Sequence, residues 1–313
     1  MSILKLSPAG KDYLWGGTRL IKEYGKPFRW DKLAETWELS CHPDGLCSIA
    51  EGEFSGKTLV EYIQKKGIAI LGTKCQHMKQ FPLLIKFIDA KNDLSIQVHP
   101  SDEYALKYEG QYGKTEVWYV IDSQPGAFIY YGFKKTISNE EFAERIQNKT
   151  LLEVLNKVEV KKGDVFFIEP GTIHAIGGGN LIAEIQQNSN VTYRVYDYGR
   201  VGADGKEREL HIDKAKAVTK CTPPKCDNDF GSHLVSCDYF TVDKFTLDGK
   251  TKKKMSGTVD NTSFASVLIL DGKGTIRAGE EVVEVKKGDS IFMEAGTGKF
   301  EVEGEVEMLI TTV

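Results

Sequence analysis

The sequence predicts a mainly β fold, organised as two similar β-domains with a few short helices. Three observations carry this. Short β-branched and aromatic runs recur between Gly, Pro and Asp punctuation. A fifteen-residue stretch occurs twice. Helical pattern is confined to three short segments.

The strand runs include Glu116–Ile121, Phe128–Tyr131, Val165–Glu169, Ala265–Leu270 and Ser290–Glu294. Leu59–Lys65 and Ser101–Tyr108 read as short helices. Ser138–Leu155 is the clearest helical stretch, because Ser138 is followed three residues later by Glu141 in a capping-box arrangement. Phe142, Ile146, Leu151 and Leu155 supply an apolar face, with Asn148-Lys149-Thr150 as a break. The repeat pairs Val158–Thr172 (VEVKKGDVFFIEPGT) with Val283–Thr297 (VEVKKGDSIFMEAGT), identical at eleven of fifteen positions. Each copy reads as strand, Lys-Gly-Asp turn, strand and Gly-containing turn. Thr222-Pro223-Pro224-Lys225 reads as a linker. The expected division is therefore 1–225 and 226–313.

Of the 313 residues, 41% are hydrophobic and 27% charged, which suits a chain with a proper core. The net charge of −4 argues against a nucleic-acid partner but leaves room for a small phosphorylated substrate. No apolar run approaches the roughly 18–20 residues that span a bilayer. The start, Met1 to Pro8, lacks the long apolar segment of a secretory signal. A cytoplasmic protein without a membrane partner is expected. The six cysteines form no C-x-x-C pair and read as reduced thiols.

Leu94–Pro100 alternates apolar and polar residues, so Gln97 and His99 share one strand face and suit two ligands of one ion. A wet sheet edge would look the same. Glu116 opens an otherwise apolar strand, where a carboxylate is paired, metal-bound or at a solvated end. Lys114 lies two residues earlier. His174 follows a buried-looking strand and turn. A lone histidine there is more often structural, but the second repeat keeps the scaffold and has Lys299 at that position. Gly177-Gly178-Gly179 reads as a hairpin turn, since no helix follows to make a phosphate loop.

The strand–KGD–strand–PGxxH pattern resembles the second motif of the cupin superfamily. Phe81–Ala90 followed by Leu94–Pro100 is similar to the signature region of the type I phosphomannose isomerases. Asn190–Arg200 resembles that family's arginine motif, and Tyr13–Gly17 and Glu35–Glu38 resemble its N-terminal motifs. The resemblance runs from about residue 10 to about 220, with a looser match beyond. The large helical insertion of longer members is reduced to Ser138–Asn156, as in the short bacterial form.

The resemblance implies two cupin (jelly-roll-like) β-barrels. The first, 1–225, is catalytic. The second, 226–313, is degenerate and without a metal site. It implies one Zn2+ per chain, held by Gln97, His99, Glu116 and His174. Two imidazoles and a carboxylate also serve non-haem iron, so the donors alone do not choose the metal. Arg194 corresponds to the catalytic arginine, Glu184 to an active-site carboxylate offered here as the proton-transfer group, and Lys114 to phosphate binding or acid–base work. The implied reaction interconverts mannose 6-phosphate and fructose 6-phosphate through a cis-enediol(ate). Lys86, Lys114, Arg194 and Arg200 are the cations available to the phosphate. The competing readings are an iron-dependent cupin dioxygenase and a non-catalytic sugar-binding cupin.

Overall fold

The computed structural model describes residues 2–202, 205–226 and 228–313; Met1 lies outside them. Its twenty strands form three antiparallel sheets. The six-stranded sheet runs in the order β10 (Val165–Ile168), β7 (Glu116–Ser123), β12 (Asn180–Gln187), β5 (Leu83–Ala90), β3 (Glu35–Ser40), β2 (Ala9–Lys11). The five-stranded sheet runs β13 (Tyr193–Tyr196), β6 (Ile96–Val98), β11 (His174–Ile176), β8 (Phe128–Phe133), β9 (Leu155–Glu159). The nine-stranded sheet runs β14 (Val235–Ser236), β15 (Thr241–Asp248), β20 (Gly298–Thr312), β17 (Ala265–Ala278), β19 (Ser290–Met293), β1 (Ile3–Ser7), β4 (Ser48–Ile49). On it, β16 (Lys254–Val259) also pairs with β20, and β18 (Glu281–Lys286) with β17. Among the described residues no sheet closes on itself, so the two expected barrels are instead a facing pair of open sheets and one curled sheet.

Strand alternation decides how the layers stack. On the six-stranded sheet, Leu83, Ile85, Phe87, Val117, Tyr119, Leu181, Ala183 and Ile185 point to a core shared with Leu4, Leu6, Leu268, Phe292 and Leu309 of the nine-stranded sheet. The intervening residues, Ile88, Trp118, Val120 and Ile182, point the other way and pack on Ile129, Tyr131 and Ile176 of the five-stranded sheet. The outer face of that third layer, with Ile96, Val98, Ala175 and Val195, is covered by α4 (Asn139–Gln147) and α5 (Ile212–Val218) through Phe142 and Ala215. The nine-stranded sheet wraps its remaining face round a core of its own, including Ile3, Val267, Ile269, Ile291 and Met308.

The repeat is structural as well as textual. Lys161 N donates to Asp164 Oδ2 and Lys286 N to Asp289 Oδ2, each at 2.9 Å. Gly163 and Gly288, both with positive φ, supply the tight turn. The sheet that holds the second copy is not built from the C-terminal stretch alone, however. Strand β1 pairs with β19, so the amino terminus completes the sheet that holds the second copy.

The helices differ from expectation in one place. α1 (Arg19–Lys22), α2 (Leu59–Lys66) and α3 (Asp102–Tyr108) are short, and α2 carries a full capping box on Thr58 and Glu61. The helical stretch read over 138–155, with its break at Asn148-Lys149-Thr150, divides at that break into α4, a 3-10 turn at Leu151–Glu153, and β9. Ser138 caps α4 through Glu141 N. Lys149 adopts a φ of 59°, which no α-helix accommodates, so the chain turns there.

Candidate metal centre

The site lies between the five- and six-stranded sheets, and two registers build it. Across the five-stranded sheet, His174 stands opposite Gln97, and Gln97 opposite Arg194. Directly opposed residues of antiparallel strands share a face, so all three side chains leave the same side. His99, two residues beyond Gln97, follows them. Strand β6 is flanked on both sides, so its polar face is not a wet edge: Gln97 is half-buried and His99 is 1% exposed. Leu94 departs from the predicted alternation. It precedes the regular strand and packs with the inner core rather than with Ile96 and Val98.

The facing sheet contributes Glu116, at the first position of β7 and fully buried. Its Oε1 lies 3.3 Å from His174 Nε2, and its Oε2 lies 3.7 Å from His99 Nε2. The two imidazole centroids are 4.8 Å apart. His99 Nδ1 bonds to Val191 O and His174 Nδ1 to Thr172 O, each at 2.9 Å. A carbonyl can only accept, so both rings carry their proton on Nδ1 and turn the Nε2 lone pair toward the carboxylate. His174 Nε2 is buried without a hydrogen-bond partner among the described residues, and the buried Glu116 carboxylate has Lys114 as its cation. Burial keeps both imidazoles below their usual pKa, His174 at about 4, so they are neutral at pH 7. Burial pushes Glu116 up to about 7, with the Lys114 ammonium opposing.

A row of alternating charges flanks this cluster. Lys114 Nζ lies 2.7 Å from Glu116 Oε2, 3.2 Å from His99 Nε2 and 3.7 Å from Glu184 Oε1. Lys86 Nζ lies 3.0 Å from Glu184 and 3.7 Å from Glu35. Trp118 Nε1 donates to Glu184 and Trp37 Nε1 to Glu35, each at 2.8 Å. Glu184 is held at about 2: burial raises it, but Lys114, Lys86 and the Trp118 hydrogen bond more than offset that. Three carboxylates thus face two ammonium groups, leaving one negative charge in excess.

The donor set fits a divalent cation. Two neutral imidazole nitrogens and a carboxylate oxygen lie within 4.8 Å of one another, the rings oriented by their second bonds and His174 Nε2 without a hydrogen-bond partner among the described residues. A divalent ion would turn the local excess of one negative charge into one positive charge.

The other predicted residues are placed as follows. Arg194 shares the ligand face, half-buried, with Nη1 on Glu209 O at 2.8 Å and a buried Nε that has no partner. Lys114 and Glu184 adjoin the cluster. Lys86 is committed to two carboxylates and is 5% exposed, which removes it from the phosphate candidates. Arg200 is likewise engaged, by Asp197 and by Asp93 O. Lys299, the counterpart of His174, lies exposed on β20. Sequence reasoning missed Trp118 as the donor to Glu184, Glu35 as the second partner of Lys86, and Arg208 altogether. For the first two the signal is a polar group on an inward strand position; for Arg208 no spacing indicates it.

Comparison with known proteins follows the same lines. Residues 3–120 match the family described as phosphomannose isomerase type I, catalytic domain, and residues 231–313 match mannose-6-phosphate isomerase, cupin domain. Mannose-6-phosphate isomerase ManA of Bacillus subtilis (strain 168) is 37% identical over 324 residues, covering 98% of each chain. A mannose-6-phosphate isomerase of Streptococcus mutans is 36% identical over 304 residues, covering 95% of this chain and 93% of that one. The crystal structure of mannose 6-phosphate isomerase from Bacillus subtilis matches with a TM-score of 0.91 at 32% identity, over 100% of both chains.

Proposed function

The chain belongs to the type I mannose-6-phosphate isomerase family. On that premise we propose that it interconverts mannose 6-phosphate and fructose 6-phosphate at a divalent metal, zinc, held by Gln97, His99, Glu116 and His174. One observation carries the reading. Two sheets deliver two imidazole nitrogens and a carboxylate to one buried point, within 4.8 Å of one another and shared with the Lys114 ammonium, beside a charge excess that a divalent cation reverses. Lys114 leaves His174 Nε2 buried and unsatisfied, which is costly without an ion.

When bound, the metal supplies Lewis acidity toward the sugar oxygens. The chain's own residues do the rest. Arg194 is permanently charged and stabilises the enediolate oxygen or positions the sugar through its free Nε. Glu184 takes and returns the proton between C1 and C2. In the resting site Lys114 helps hold it charged and weakly basic. An anionic substrate that draws Lys114 away removes that attraction, and burial then raises the carboxylate's basicity. Trp118 and Lys86 keep the carboxylate in place meanwhile.

We further propose that 1–225 acts as the catalytic cupin unit and 226–313 as a buttressing cupin-like unit without a metal. Packing of the nine-stranded sheet behind β5, β7 and β12 supports this. The free cysteines fit a cytoplasmic setting. The test is direct: purified protein is given mannose 6-phosphate, with and without a chelator, and fructose 6-phosphate is measured. Product that disappears on chelation is expected. Oxygen-dependent turnover with iron bound, and no ketose, would replace the isomerase by the dioxygenase reading.

A further inference from the structure

Beside the candidate centre, a cluster of guanidinium groups has too few anions. The segment after β13 folds back along it: His211 N donates to Arg194 O at 2.8 Å, and Arg194 N donates to His211 Nδ1 at 3.2 Å. Arg194 Nη1 reaches Glu209 O. This return brings Arg208, one residue before Glu209, alongside Arg194. Asp197, 5% exposed, fixes it: Arg208 Nε donates to Oδ2 at 2.8 Å and Nη2 to Oδ1 at 2.6 Å. The same carboxylate holds Arg200, whose remaining donors go to the carbonyls of Asp93 and Asp197.

The groups differ in what they have left to offer. Arg200 is spent on structure. Arg208 keeps Nη1 without a partner among the described residues, on a side chain 28% exposed. Arg194 keeps a buried, unpartnered Nε. Three guanidiniums meet one buried carboxylate, and Glu209 contributes its carbonyl. The Glu209 carboxylate also acts on Arg194, so the local excess is one positive charge, partly desolvated and held close to the candidate anion position. Mutual repulsion is visible in Arg194, whose pKa is lowered by burial and then by Arg208. Tyr13, 37% exposed, senses charges of both groups: its hydroxyl is pushed up to about 12 by burial and Glu35, with Lys86 and Arg208 opposing.

We propose that Arg208, clamped by Asp197 beside Arg194, receives the phosphate of the substrate. This rests on the sugar-phosphate reading and adds the residue that recognises the anionic end. A phosphate group suits this positive excess and the unpartnered guanidinium donors. Asp197 is a positioning residue: it occupies Nε and Nη2 and leaves Nη1 to the ligand, while Arg194 links the phosphate end to the reacting carbons.

The test is Arg208→Gln in the metal-loaded full chain, with Arg208→Lys as companion. A charged hydrogen bond of this kind is worth about 30-fold in affinity. Arg208→Gln is expected to raise KM for mannose 6-phosphate about 30-fold, with kcat falling less than about threefold. The inhibition constant of inorganic phosphate should rise by the same factor, and the preference for mannose 6-phosphate over unphosphorylated mannose should contract likewise. Arg208→Lys should fall between, and carries the test alone if the glutamine variant does not fold. Unchanged KM and phosphate inhibition, or an equal loss on both sugars, would overturn the proposal. An enzyme inactive on mannose 6-phosphate that still binds phosphate through Arg208 would sink the isomerase reading and leave this one standing.

Discussion

Lys26→Met removes one half of a buried ion pair that also bonds to the second repeat. Lys26 Nζ lies 2.6 Å from Glu38 Oε1 and donates to Gly288 O at 2.5 Å, in the Lys-Gly-Asp turn of the second repeat. The side chains are 5% and 0% exposed, and Lys26 is the one cation paired with Glu38 among the described residues. A lone buried carboxylate is left behind, which costs about 3–5 kcal/mol. Urea unfolding followed by tryptophan fluorescence reads that loss. Lys26→Met/Glu38→Leu should recover most of it. The remainder, about 1–3 kcal/mol, comes from the Gly288 carbonyl left unbonded. The deficit also depends on pH. Burial already raises the Glu38 pKa above its unfolded value despite Lys26, and removing Lys26 raises it further. Above about pH 4.3 the unfolded chain therefore loses this proton before the folded chain does, and stability falls as pH rises, by up to about 1.4 kcal/mol per unit. The variant should thus be closest to wild type in acid. A single-variant cost under about 1 kcal/mol, or a double variant as weak as the single, would refute this reasoning.

Three further outcomes are expected. His174→Ala should weaken metal binding by more than the roughly 10–100-fold that loss of a supporting hydrogen bond costs, read by competition with a metal-binding dye; full metal occupancy at equal affinity would remove it from the ligands. Arg194→Ala should keep the metal and lose turnover by about 10²–10³, so near-normal kcat would exclude a role at the oxyanion. Metal affinity should fall by about tenfold per pH unit below about pH 7, because the ion must displace the proton of Glu116, while the imidazoles are already neutral. Calorimetry in two buffers counts that proton, and a flat profile from pH 5.5 to 7 would contradict it.

The alternation of Leu94–Pro100 announced a face with Gln97 and His99, and the loss of the imidazole in the second repeat singled out His174. These are local signals, carried by spacing along one strand. What they did not contain is who stands opposite. His174 meets Gln97, and Gln97 meets Arg194, only through cross-strand registers between residues about 75 to 100 positions apart. The Lys86–Glu184–Trp118 row is of the same kind. Lys86 looked free to hold phosphate because its carboxylate partners lie on other strands. Insertion of β1 into the distant sheet was equally invisible, since a short apolar strand fits many edges. The break at Asn148-Lys149-Thr150 was legible, and the left-handed Lys149 turns the chain there, but the apolar spacing beyond it matched a helix where a 3-10 turn and a strand form.

The most direct measurement is a titration of metal-free protein with zinc while fructose 6-phosphate formation is followed. The rate should climb linearly and break at one equivalent per chain, the capacity of the single His99–Glu116–His174 cluster found among the described residues. Full turnover before any zinc is added, or no turnover at saturation, would contradict a metal-dependent isomerase at this site.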